Sequence, residues 1–163
     1  SMSVDPKISL EVVRQELADC QVDSKRYNWE ISGIDEQQQI FTVKMVSSVD
    51  KQPYIIEIKF DNYKELPPLI EFINPSDGQR GVKSAYPAEC KQYGGFFHSG
   101  KVCICHPSSR KSYKGYSELH GEWNISAWRQ NPGVGTLTNI RAILQAIYFR
   151  ISDSEMYQGR MNG

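Results

Sequence analysis

Residues 54–72, with the sequence YIIEIKFDNYKELPPLIEF, set the architecture of this chain. The first half places a large apolar residue at every second position: Tyr54, Ile56, Ile58 and Phe60. Asp61-Asn62 then marks a turn, and the period of two returns at Ile70 and Phe72. Pro67-Pro68 stands just before that second run, which suits a strand entrance because proline cannot donate to a sheet ladder. The stretch therefore predicts two consecutive strands, each with one face on a core.

Two more runs with a period of two lie upstream of this stretch. Their alternating residues are Tyr27, Trp29 and Ile31 in the first run, and Phe41, Val43 and Met45 in the second. The connections between the four runs are short and rich in turn residues, such as Gly33 and the segment 47–50. Short connections favour antiparallel pairing, since parallel strands need long crossovers. We therefore predict a four-stranded antiparallel meander.

Helices are predicted on both sides of the meander. The first runs from about Pro6 to Cys20, with Asp5 as a cap and Pro6 in the first turn. Its solvent face is expected to carry Glu11, Arg14, Glu16 and Asp19. The second begins near Thr136, with Thr136 or Thr138 as its cap, and shows a stripe of apolar residues at helical spacing: Leu137, Ile140, Ile143, Leu144, Ile147 and Ile151. The polar stretch 152–163 is expected to fray.

Between residues 74 and 135 no periodicity is visible, and loops of this length are usually functional or disordered. This one holds three of the four cysteines, all three histidines, Trp123 and Trp128. So many aromatic and cysteine residues favour an ordered, functional loop. The chain is thus predicted to be an α+β protein with helices packed on a twisted antiparallel sheet.

Bulk composition narrows the classes of function. The 163 residues suit one domain over 1–163, in which residues 1–2 have the look of an expression scar. Basic and acidic residues number 19 each, so neither a nucleic acid nor an acidic membrane surface is an expected partner. There is no apolar run long enough to cross a bilayer. Four cysteines are too few for a disulfide scaffold, which favours a cytoplasmic protein with free thiols.

The chemistry concentrates at residues 100–106, Gly-Lys-Val-Cys-Ile-Cys-His. One interpretation is a nucleophilic thiol at Cys103, on a chain that Gly100 allows to turn sharply. Val102 and Ile104 would then point inward and Cys103 outward. Lys101 and His106 would make the surroundings electropositive and so favour the thiolate.

Two other interpretations remain open. The cysteines and histidines of the loop are all potential zinc ligands, although Cys-x-Cys is a less usual spacing than Cys-x-x-Cys: Cys90, His98, Cys103, Cys105, His106 and His120. Alternatively, the cysteines are small buried hydrophobes, which is the preferred interpretation for Cys20 and Cys90.

Taken together, these features resemble the ubiquitin-conjugating enzymes. Leu66–Phe72 resembles the Pro-Pro-x-(Ile/Val)-x-Phe strand of that family, and Gly100–Ile104 resembles its active-site Gly-x-Ile-Cys-Leu. Trp123 resembles the tryptophan that follows the active site, and Thr136–Ile147 the helix after it. The likeness extends from the first helix to about Asp153.

The resemblance implies that Cys103 accepts a ubiquitin-like modifier as a thioester from an activating enzyme and passes it to an amine on a target protein, without a metal or other cofactor. It implies no catalytic role for Cys105. Asp153 or Glu155 would help to deprotonate the amine. The family usually has His-Pro-Asn before the cysteine, but Tyr93-Gly94-Gly95 stands here. Candidates to replace that asparagine are backbone amides near Gly94-Gly95 and three side chains: His98, His106 and Asn124.

Two further departures shape the expectations. The segment between Cys103 and Trp123 is longer than usual and is expected to be a solvated insertion. The C-terminal helices of the family are expected to be trimmed here, as in divergent members from bacterial operons for ubiquitin-like conjugation, some tied to phage defence. Rival functions are a catalytically inactive binding module of the same fold and a zinc-stabilised interaction domain.

Overall fold

The computed structural model describes residues 3–162, so the predicted expression scar at residues 1–2 lies outside the described part. The α-helices are α1 (Pro6–Asp19), α2 (Gln21–Tyr27) and α3 (Ile140–Ser152). The strands are β1 (Glu30–Ile31), β2 (Ile40–Val46), β3 (Pro53–Lys59), β4 (Leu69–Ile73), β5 (Pro87–Glu89), β6 (Phe97–His98), β7 (Cys103–Ile104) and β8 (Tyr157–Arg160). Short 3-10 helices occupy Lys83–Ala85, Lys91–Tyr93, Arg110–Ser112 and Ile125–Gln130.

The predicted meander is confirmed as an antiparallel sheet in the order β1-β2-β3-β4. Its register places apolar residues opposite one another on one face, with Val43 beside Ile56 and Ile56 beside Phe72. All three side chains are fully buried. The period of two in the sequence is therefore the alternation of core and outer faces.

Helices α1 and α3 pack against each other, and Glu16 ties them together. Its carboxylate accepts hydrogen bonds from Tyr63 Oη at 2.6 Å and from the backbone amide of Ile140 at 2.7 Å, and it pairs with Lys64 Nζ at 2.9 Å. Glu16 was predicted to face solvent. That prediction is wrong, because the free amide at the start of α3 needs an acceptor and Glu16 supplies it.

Three element boundaries differ from the prediction. The segment before β1 forms α2, which is capped at its C-terminus by Asn28 in a left-handed conformation (φ 57°), so β1 is shorter than expected. Helix α3 begins at Ile140 because Asn139, rather than a threonine, caps it through a bond from Ala142 N (2.9 Å). After α3 the chain pairs as β8 with β5, and Tyr157 is buried, so this stretch is held in place rather than frayed.

The long segment 74–135 is ordered throughout by short elements. Its strands β6 and β7 pair with each other and pack beside β4, and the 3-10 helix Arg110–Ser112 also contacts β4. The edge of the main sheet thus supports the cysteine-rich part of the chain. Among residues 3–162, no helix is long and apolar enough to cross a membrane.

Candidate active site

Residues 97–105, which we call the cysteine hairpin, carry two of the cysteines. Its register pairs His98 with Cys103, and the amide of Cys105 extends the ladder by donating to the carbonyl of Phe96 at 2.8 Å. The turn is closed by His98 Nδ1, which accepts from the amide of Lys101 at 2.9 Å. A Cβ atom at Gly100 would lie 3.0 Å from His98 Cε1, so glycine permits this tight turn, as predicted.

Backbone strain lies immediately before Cys103. Val102 has a φ of 52°, in the left-handed region that a β-branched residue rarely adopts. This conformation costs about 1–2 kcal/mol in an L-residue. Such strain persists only where the surroundings enforce it, and it occurs often at functional sites.

Helix α3 and β5 fix the base of the cysteine hairpin. The Glu89 carboxylate accepts from the amide of Phe97 at 2.9 Å and from Arg150 Nη1 at 2.7 Å. The guanidinium of Arg150 also lies over the ring of Phe96, 4.3 Å from its centroid. Because the Glu89 side chain is only 5% exposed, this ion pair is well protected from solvent.

Residues 106–122, which we call the covering segment, pack over the cysteine hairpin. Arg110 is 2% exposed and binds three acceptors: the Pro67 carbonyl at 2.9 Å, the Asp61 carboxylate at 2.8 Å and the Asp61 carbonyl at 2.8 Å. Ser112 Oγ donates to the Ile104 carbonyl at 2.9 Å. The predicted solvated insertion is therefore wrong for this part of the segment, since Arg110, Ser112 and Tyr113 are buried.

Cys103 is enclosed by this packing, with 0% of its surface exposed. Burial, and then the negative potential of Cys105, raises the pKa of the Cys103 thiol from 9.0 to about 11, and the nearby Lys111 only partly opposes this effect. The expectation of an outward-facing thiol in electropositive surroundings is thus wrong. The physical reason is that the covering segment excludes water and Lys111 is already paired with Glu71.

The burial gives a testable expectation for the free protein. Because the pKa of Cys103 rises from 9.0 to about 11, its thiolate population is about 100-fold smaller than in the unfolded chain. We expect iodoacetamide to modify Cys103 at least that much more slowly in native than in denatured protein, with a rate that climbs about tenfold per pH unit between pH 7 and 9. Peptide mass spectrometry would measure both rates, and equal rates would contradict the enclosure.

Cys105 has different surroundings from Cys103. Its surface is partly exposed, and its sulfur lies 3.3 Å from His120 Nε2. His120 Nδ1 lies 3.0 Å from Glu122 Oε1, and this hydrogen bond lowers the pKa of the Glu122 carboxyl. Burial raises the pKa of the Cys105 thiol, so the neutral thiol prevails at rest. A cysteine, a histidine and a carboxylate therefore stand in a hydrogen-bonded row.

Stacking fixes the plane of the histidine ring. His120 lies on Trp123 with ring centroids 3.7 Å apart and an angle of 6° between the planes. The ring of Tyr113 packs against Trp123, with 5.7 Å between the ring centroids. The amide of His120 also donates to the Ser112 carbonyl at 2.9 Å, so both backbone and side chain are held.

The other histidines proposed from sequence have structural contacts. His98 closes the turn of the cysteine hairpin, as described above. His106 Nδ1 accepts from the amide of Ser108 at 3.1 Å, and burial lowers the pKa of its imidazole to about 4. A histidine that stays neutral and donates or accepts within its own loop serves packing, so His106 does not make the surroundings of Cys103 electropositive as predicted.

The remaining candidates lie at the ends of other elements. The Asn124 side chain caps the 3-10 helix Ile125–Gln130 by accepting from Ser126 N at 3.1 Å. Asp153 accepts from the amides of Glu155 (2.8 Å) and Met156 (3.2 Å) in the turn before β8. Glu155 accepts from Tyr93 Oη at 3.3 Å. None of these described hydrogen bonds involves Cys103.

Sequence reasoning missed the pairing of His120 and Glu122 with Cys105. The signal was the spacing His120-x-Glu122-Trp123, but His120 was considered only as a zinc ligand. Of the six potential zinc ligands, Cys105 and His120 contact each other. Within the described residues, no three cysteine, histidine or acidic side chains form a group able to hold a metal ion.

The sequence matches no protein-family model and no curated protein.

Proposed function

We propose that this protein is a conjugating enzyme that accepts a ubiquitin-like modifier from an activating enzyme as a thioester on Cys103 and transfers it to an amine of a target protein. The observation that carries the proposal is the placement of the Gly100–Cys103 turn. A helix and a four-stranded meander precede the turn, α3 follows it, and the edge strand β4 supports it. This is the order of elements that the sequence resemblance leads us to expect.

Local geometry at Cys103 supports a reactive rather than a purely structural position. Val102 holds a strained backbone next to the cysteine, and strain of this kind is retained where function needs it. Acyl exchange between thioesters needs no strong base, because the donor and product thioesters are similar in energy. It needs a rigid backbone near an accessible sulfur, and Glu89 and Arg150 provide the rigidity at the base of the cysteine hairpin.

Burial of Cys103 sets a condition on this function. The covering segment has to move before a modifier C-terminus can reach the sulfur, since 0% of the residue is exposed. Docking of the activating enzyme, loaded with its modifier, would supply contacts that favour the form with an open covering segment over the closed form. The free protein would then be protected against reactions with small electrophiles.

A second candidate function, an inactive binding module, is favoured by the same burial. A thiol with no exposed surface and a pKa of about 11 is an inert core residue in the absence of opening. The two functions differ in whether an activated modifier ever becomes attached to the chain.

Charging with a modifier distinguishes them. The protein is mixed with an activating enzyme, its modifier and ATP, and the products are separated on a non-reducing gel. A conjugating enzyme gives a band shifted by the mass of one modifier, and this band disappears with thiol reductant or when ATP is omitted. A panel of activating enzyme and modifier pairs that gives no thiol-sensitive band would favour the binding module.

A further inference from the structure

We propose that Cys105, His120 and Glu122 form a nucleophilic thiol site that accepts an acyl group from a thioester donor. The site is distinct from the proposed carrier Cys103 and goes beyond the proposed function, in which Cys105 has no role. It stands on a contact of 3.3 Å between sulfur and imidazole and one of 3.0 Å between imidazole and carboxylate.

The identity of the carboxylate determines where the protons lie. An ionised glutamate only accepts hydrogen bonds, so the Nδ1 atom of His120 must carry a proton to bind Glu122. In the neutral imidazole, Nε2 is then the free acceptor, and it faces the Cys105 sulfur. The thiol therefore donates its S–H to His120, which is the arrangement a general base needs.

The ring of His120 is also held in the orientation that this transfer requires. Trp123 covers one face of the imidazole at a centroid distance of 3.7 Å, and Ser112 binds the His120 amide. Cys105 as a residue is partly exposed, whereas Cys103 is buried. Of the two cysteines in the cysteine hairpin, Cys105 is thus the more accessible to a small acyl donor.

The reaction follows from these positions. As the Cys105 sulfur attacks the carbonyl carbon of the donor thioester, its proton passes to His120 Nε2, and Glu122 stabilises the resulting imidazolium. The bond between the carbonyl and the donor sulfur breaks, and the donor leaves as a thiol after taking the proton from His120. One thioester is exchanged for another, and no oxidant, reductant or metal takes part.

The test uses the purified full chain and the acetyl thioester of N-acetylcysteamine, so it needs neither an activating enzyme nor a modifier. Acetylation is followed by peptide mass spectrometry at each cysteine, with partly exposed Cys90 as the internal reference. We expect Cys105 to be acetylated faster than Cys90, and His120→Gln to lower the Cys105 rate by about 100-fold, the lower end of the range for general base catalysis.

Glu122→Gln provides a variant that is safe for folding, because the Glu122 side chain is 69% exposed. Loss of the charged hydrogen bond should lower the Cys105 rate by about three- to tenfold and move the pH–rate profile, which a merely structural role would not do. Glu11→Gln, an exposed carboxylate remote on α1, is the matched control and should change neither. Added imidazole should restore part of the activity of His120→Ala.

The proposal is overturned if Cys105 is acetylated no faster than Cys90, or if His120→Gln and Glu122→Gln leave its rate unchanged. Either result is independent of the proposed conjugating function, since charging through an activating enzyme is measured separately. Conversely, a failed charging assay leaves the acetylation assay unaffected.

Discussion

Arg110→Ala is expected to lower the free energy of unfolding by about 3 kcal/mol, the lower end of the cost of breaking a buried ion pair. The guanidinium is 2% exposed and satisfies two backbone carbonyls and the Asp61 carboxylate. Its own amide also donates to the Pro68 carbonyl at 3.1 Å. Alanine would keep that last bond but leave three acceptors without a partner. We choose the lower end because the Asp61 side chain is 32% exposed and regains some solvation.

Urea denaturation of the variant measures this loss. Lys114→Ala is the matched control, because Lys114 lies in the same covering segment but is exposed. It should change stability by less than about 0.5 kcal/mol. Arg110→Ala should also make Cys103 more reactive toward iodoacetamide, since the same side chain anchors the segment that covers the thiol. A variant as stable as the parent would show that Arg110 does not anchor the segment.

Much of the fold was predictable because the sheet follows one simple rule. Residues 54–72 alternate at period two, and each predicted core position in β3 and β4 is buried, from Tyr54 to Phe72. The stripe on α3 is confirmed in the same way, with Ile140, Ile143 and Ile147 in the core. Local periodicity indicates which face of a strand or helix is buried, so this prediction does not require knowing which elements pack against that face.

Predictions failed where a side chain binds a partner that is distant in the sequence. Glu16 is a charged residue of the kind that usually faces solvent, yet its carboxylate binds Tyr63 and the start of α3. Arg110 lies in a polar segment that was expected to be solvated. Instead, its side chain binds acceptors that lie more than 40 residues earlier in the chain. Buried polar groups of this kind depend on contacts that no local pattern encodes.

The candidate site was predictable only in part for the same reason. The sequence pointed to residues 100–106 as the chemical centre, and the structure places two cysteines there beside a histidine. Whether each sulfur is covered depends on how residues 106–122 fold back, and that segment has no periodicity. The sequence therefore could not reveal that Cys103 is fully buried while Cys105 is only partly buried.

Cys103→Ala is expected to abolish the thioester formed with an activating enzyme and modifier, whereas Cys105→Ala is expected to retain it. The substitution removes only the sulfur of Cys103, and without that sulfur residue 103 cannot form a thioester. The substitution removes one buried atom and leaves a small cavity, because Cys103 is 0% exposed, so a modest loss of stability is expected. Native folding of the variant can be checked by thermal unfolding before charging is measured.

The pair of variants separates the acceptor from its neighbour. A thiol-sensitive band that persists in Cys103→Ala and disappears in Cys105→Ala would move the acceptor to the thiol that faces His120, and it would contradict the assignment to Cys103 while preserving the conjugating function. Loss of the band in Cys103→Ala alone would support a mechanism in which the covering segment opens. In that case Arg110→Ala, which loosens this segment, should charge faster than the parent protein at equal folded concentration, because less free energy is needed to expose Cys103.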